Sequence, residues 1–87
     1  MRFARAIDAY HWYRTTRYQI DHAQTMIRAL QKARGFEKAV VTLVDIEKCL
    51  AGLSRREKRA LRDNAIDFPE ACGKLEAALR AKGYLVR

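Results

Sequence analysis

The chain has little of what breaks a helix and little of what builds a covalent scaffold. Its 87 residues include one proline and four glycines, and none of these falls between Phe3 and Arg34, so nothing in that stretch forbids a helix. Two cysteines, Cys49 and Cys72, stand too far apart for a zinc knuckle and are too few for a disulfide framework. Buried, reduced thiols in a cytoplasmic protein are the expectation. No apolar run approaches the length of a membrane span, and Arg2, Arg5 and Asp8 interrupt the region where a secretory signal would need an unbroken apolar core. Ser54 is the only serine, there is no Gly-rich loop, and no two carboxylates sit in settings that would separate their acidities. His11 and His22 lie about 16 Å apart along one helix, too far to share a metal within it. These absences argue against an enzyme and against a cofactor, a metal or a small-molecule substrate.

Acidic residues are also scarce. Eighteen Lys and Arg face ten Asp and Glu, a formal net charge of +8, and the excess is concentrated in residues 1–34 and 54–66. Such a balance suits a polyanion or an acidic protein surface. With 49% hydrophobic residues the chain can bury one modest core, which predicts a single all-α domain over residues 1–87.

The stretch from Phe3 to Arg34 predicts one long helix. Ala6, Ala9, Tyr13, Thr16, Ile20, Ala23, Ile27 and Leu30 recur at alternating steps of three and four, a packing stripe. About 30 helical residues would make a rod of roughly 45 Å, longer than the ~30 Å diameter of a compact domain of this size. Either a second copy covers the overhang, giving a homodimer with Ile20 and Ile27 in the interface, or the helix breaks near Thr15 and Thr16. The first half of this helix is aromatic and basic: Tyr10, Trp12, Tyr13, Arg14, Arg17 and Tyr18 are residues suited to core packing, to partner contact or to stacking on bases.

Gly35 follows a basic last turn and predicts the end of the long helix. Residues 36–41 read equally as a helical turn or an extended run. Thr42 with Asp45 has the spacing of a capping pair, and Leu43, Ile46, Leu50 and Leu53 then predict a helix over about 43–52. Ser54 with Glu57 is a capping box opening a helix over 55–65, whose Arg55, Arg56, Arg59 and Arg62 crowd one side while Leu61 and Ala65 face the other. Asp67 with Glu70, and Pro69 in the first turn, open a last helix over 69–82 with Ala71, Cys72, Leu75, Ala78 and Leu79 inward. Gly83 ends it, with Tyr84 folded back on Leu79 and with Leu85 and Val86 over the core.

Leu50-Ala51-Gly52-Leu53-Ser54 resembles the turn of helix-turn-helix DNA-binding proteins, in which Gly, an aliphatic residue and Ser join two helices; the resemblance covers about twenty residues. Lys48 and Lys58 stand where that family has small or aliphatic residues between its helices. The resemblance implies that the helix after Ser54 is the recognition helix, aiming Arg55, Arg56, Arg59 and Arg62 at duplex DNA. Leu50, Leu53, Glu57 and Leu61 also resemble the opening of sigma-factor promoter-binding domains. The sequence therefore favours a small, basic, dimeric nucleic-acid-binding regulator. The alternative is an inhibitor or adaptor, of the kind phage and mobile elements encode, gripping an acidic protein through its aromatic and arginine surface.

Overall fold

The structure is a computed structural model that describes residues 1–64 and 69–86. Within them the chain forms five helices, α1 (Ala6–His22), α2 (Gln24–Lys32), α3 (Phe36–Leu50), α4 (Arg55–Asn64) and α5 (Pro69–Ala81). The all-α class is as expected. The long helix is not continuous, for it breaks at a single residue, Ala23, whose backbone leaves the helical region at φ −137° and ψ 85°. The break is tight: the Ala23 N–H still donates to the Gln19 carbonyl at 3.2 Å, and the Ile27 N–H donates to the Ala23 carbonyl at 2.8 Å.

Helix propensity does not explain the position, since Ala is the best helix former and Thr15 and Thr16, the weaker pair, remain inside α1. Compaction does. A straight rod over residues 3–34 would exceed the longest dimension of the molecule, 38 Å, whereas with the break at Ala23 α2 contacts both α1 and α3. The break shortens the rod on which the expectation of a second copy was argued. Phe3 also lies outside the helix, in extended backbone that pairs with the other end of the chain: its N–H donates to the Tyr84 carbonyl at 2.8 Å, and its carbonyl accepts from the Val86 N–H at 2.9 Å.

Gly35 does mark a junction, at φ 89°, but it starts α3 as much as it ends α2. Its carbonyl accepts the first hydrogen bond of α3, from Ala39. α3 begins seven residues earlier than the expected Leu43. The Thr42 and Asp45 pair, which has capping spacing, instead lies mid-helix: Thr42 is buried and its hydroxyl donates to the Lys38 carbonyl at 2.8 Å, satisfying it without ending the helix. Asp45 accepts from the Tyr84 hydroxyl.

Ile46, Leu61, Leu75 and Leu79 are fully buried, and Leu43, Leu50, Leu53, Ala71 and Leu85 complete the apolar stripes expected of α3 and α5. Val86, expected over the core, is half-exposed, and Ala65 and Asp67 fall outside the described residues. α1 contributes Ala6, Ala9 and Tyr10, with Trp12 half-buried against Phe3 at a ring separation of 5.6 Å. α3 packs on α1, α2 and α5, and α4 packs mainly on α5. α5 closes as a Schellman motif: the Tyr84 N–H donates to Leu79 and the Gly83 N–H to Arg80, each at 3.0 Å, with Gly83 at φ 80°. Cys49 is buried and Cys72 half-buried, and burial pushes both thiols above their ordinary value. Among the described residues no helix is long and apolar enough to cross a membrane.

Ile46→Ala should lower stability by about 2–5 kcal/mol in urea unfolding, because it empties a site with no solvent access. Val41→Ala, on the exposed side of the same helix, should change it by no more than about 0.5 kcal/mol.

Candidate nucleic-acid interface

α4 is built to stand clear of the core. Ser54 and Glu57 form the expected capping box, with the Glu57 N–H donating to the Ser54 hydroxyl and the Ser54 N–H donating to the Glu57 carboxylate, both at 3.1 Å. Glu57 also takes an ion pair from α5, with Lys74 Nζ 2.9 Å from Oε2. The Lys74 hydrogen bond, then the Ser54 N–H, hold the Glu57 carboxyl below the usual carboxylate range. Leu61, 1% exposed, is the one buried side chain among the described residues of α4.

The arginines occupy the other side. Arg55, Arg56, Arg59 and Arg62 are all exposed, and at 100° per residue Arg55, Arg59 and Arg62 fall within a sector of about 60°, with Arg56 on its flank. Arg55 and Arg56 sit in the first turn, at the positive end of the helix dipole, where cations disfavour the helix. Glu57 offsets that placement, and helix stability gives no reason for it. Arg62 pairs with Asp63 at 3.1 Å.

The expected helix-turn-helix packing is absent. Lys48 and Lys58 are exposed, and a hollow of about 290 Å³ lined by Tyr10, Tyr13, Glu47, Leu50, Ala51 and Lys58 opens where the two helices of that motif would meet. Two lysines cannot be desolvated between helices without partners, so α4 leans on α5 instead.

The aromatic and arginine residues of α1 divide into three groups. Tyr10 is core, its hydroxyl acidity weakened by burial. Tyr13 and Arg17 clasp α3: the Tyr13 hydroxyl donates to Glu47 at 3.1 Å, and Arg17 lies 3.5 Å from the same carboxylate and 3.2 Å from Asp21. Burial, with the Glu47 bond, pushes Tyr13 up to about 12. Ile20 and Ile27 are half-buried. Arg14 and Tyr18 are exposed, and Arg14 donates to the Arg62 carbonyl at 3.5 Å, joining this side of α1 to the end of α4. Sequence reading did not find that junction, which links residues 48 positions apart with no local signal. Among the described residues no three His, Cys, Asp or Glu side chains converge on a metal position.

Compared with family models, with curated proteins and with solved structures, the chain finds no match.

The lowered Glu57 acidity has a pH consequence. The carboxylate contributes stability above its unfolded value near 4.5, and that contribution disappears as pH falls through the lower folded value. Glu57→Gln, which keeps an acceptor for Ser54 but loses the charge on Lys74, should therefore be less stable at neutral pH. In urea midpoints taken down the acid range, its deficit against the native chain should shrink.

Proposed function

We propose that this chain binds nucleic acid, with α4 as the principal contact. The observation that carries the reading is the set of exposed arginines on a helix whose one buried side chain among the described residues is Leu61, with two of them, Arg55 and Arg56, placed against the preference of the helix dipole. Arg55, Arg59 and Arg62 spread over about 10 Å of helix axis. Guanidinium groups so arranged offer bidentate contacts to successive phosphates. Arg14 extends the same charge onto α1. The reading rests on backbone contact rather than base readout in the major groove, because the α3–α4 pair lacks the interhelix packing on which a recognition helix is mounted.

Binding should be strongly salt-dependent. Three or four phosphate contacts give a log–log slope of about −3 to −4 per chain on duplex DNA, since each contact releases condensed counterion. Fluorescence anisotropy across a salt series measures it; a flat response, or no binding at low salt, would refute the reading. Changing Arg55, Arg59 and Arg62 together to Ala should leave the circular dichroism spectrum unchanged and weaken binding by at least about tenfold.

A second reading, contact with another protein, is favoured by α2. It buries no residue; Ile27 and Leu30 are half-buried and Met26 is 46% exposed. A second copy is the simplest occupant. Light scattering at high micromolar concentration should then give twice the 10.1 kDa chain mass, and Ile27→Glu should return the monomer, since an unpaired charge in a desolvated seam costs several kcal/mol.

A further inference from the structure

The charge of α4 runs onto a part of α1 that carries exposed rings. Tyr18 is 66% exposed, more than any other large apolar side chain among the described residues, so the core makes no use of it. Its ring is nonetheless ordered by its neighbours. His22, one turn on, stacks against it at a centroid distance of 4.6 Å and an interplanar angle of 16°. The His22 ring is itself tied down, with Nδ1–H donating to the Tyr18 carbonyl at 3.2 Å. On the N-terminal side of Tyr18 lies a shallow hollow of about 310 Å³, lined by His11, Arg14, Thr15 and Tyr18. Arg14 borders this hollow and also reaches the Arg62 carbonyl, so one guanidinium bridges the rings and the basic helix.

We infer that Tyr18 stacks an unpaired base of a single-stranded or looped nucleic acid, with Arg14 on an adjoining phosphate and the α4 arginines along the strand beyond. The inference rests on the nucleic-acid reading above and names its substrate class. Phosphate contact alone needs no ring, and a duplex keeps its base faces inside the stack, so an exposed aromatic platform serves only a base that is unstacked. The lining of the hollow argues in the same direction. Apart from Tyr18, the described residues that line it are His11, Arg14 and Thr15, which suit a ligand that combines a flat π-face with negative charge, whereas a protein hot spot would seat its anchor among apolar groups.

Single-stranded oligothymidine and oligouridine of about 12 nucleotides, within the site sizes such surfaces cover, and a duplex of equal length are the probes, read by fluorescence anisotropy. The native chain should bind the single strands more tightly than the duplex. Tyr18→Ala should weaken single-strand binding by about fivefold or more and change duplex binding by less than about twofold, while Tyr18→Trp should restore the single-strand affinity. Tyr18 is exposed and Ala favours helix, so the variant should keep the native circular dichroism spectrum. If both ligands bind but Tyr18→Ala changes neither, or changes both alike, the stacking inference is overturned while the nucleic-acid reading stands. If neither ligand binds at low salt, both fall, and an acidic protein becomes the partner to seek.

Discussion

Leu61 is the side chain that α4 sinks into the core, and because it is alone among the described residues of that helix, the rest of the helix is released from packing duty. A helix of ten residues is marginal by itself in water, so its stability has to come from elsewhere. Ser54 and Glu57 close its first turn, Lys74 fastens that turn to α5, and Arg14 donates to the Arg62 carbonyl near its end. With those attachments in place, positions 55, 56, 59 and 62 of α4 can be chosen for the surface. The choice made is arginine, in two cases at the end of the helix where a cation is least welcome.

α3 is the member against which the rest is assembled, and its carboxylates fix how. Glu47 accepts from Tyr13 on α1 and faces Arg17, and Asp45 accepts from Tyr84 after α5. Each pairing gives a half-buried phenol a carboxylate acceptor, the stronger kind of hydrogen bond. The two ends of the chain are joined on the same side of the fold, through Phe3 and the Tyr84–Val86 backbone. Among the described residues α2 shows no comparable anchor. It is attached by the turn at Ala23 and by half-buried Ile27 and Leu30, which makes it the element with the least to lose by local opening.

What was legible in the sequence was local. The capping box at Ser54 and Glu57, the αL glycine at Gly83 with Tyr84 folding back on Leu79, and the stripes of Leu43, Ile46, Leu50, Leu75 and Leu79 are patterns within a few residues, and all hold. The arginine face of α4 belongs to the same class. What was hidden depends on tertiary structure. Ala23 carries no break signal; the helix yields there because a rod has to fold onto the molecule. Thr42 with Asp45 has a capping spacing, yet a buried hydroxyl can bond one turn back and leave the helix running. Phe3 pairs with residues at the opposite end of the chain, and Arg14 meets Arg62, through contacts that no periodicity announces.

On α1 the apolar stripe and the exposed ring of Tyr18 do not share a side of the helix. On α1, Ile20 and Tyr18 are two positions apart, which at 100° per residue places them about 160° from one another around the helix. A second copy seated along Ile20 would therefore leave Tyr18 and Arg14 open on both chains. Association would then change binding through number rather than through new contacts. Two basic surfaces on one particle contact twice the phosphates, so the salt slope of the complex doubles while the slope per chain stays the same. The second surface then binds at the effective concentration set by the first. On this arrangement a charge placed at Ile27 acts on nucleic acid only by way of the dimer, losing avidity but keeping the contacts that each chain makes on its own.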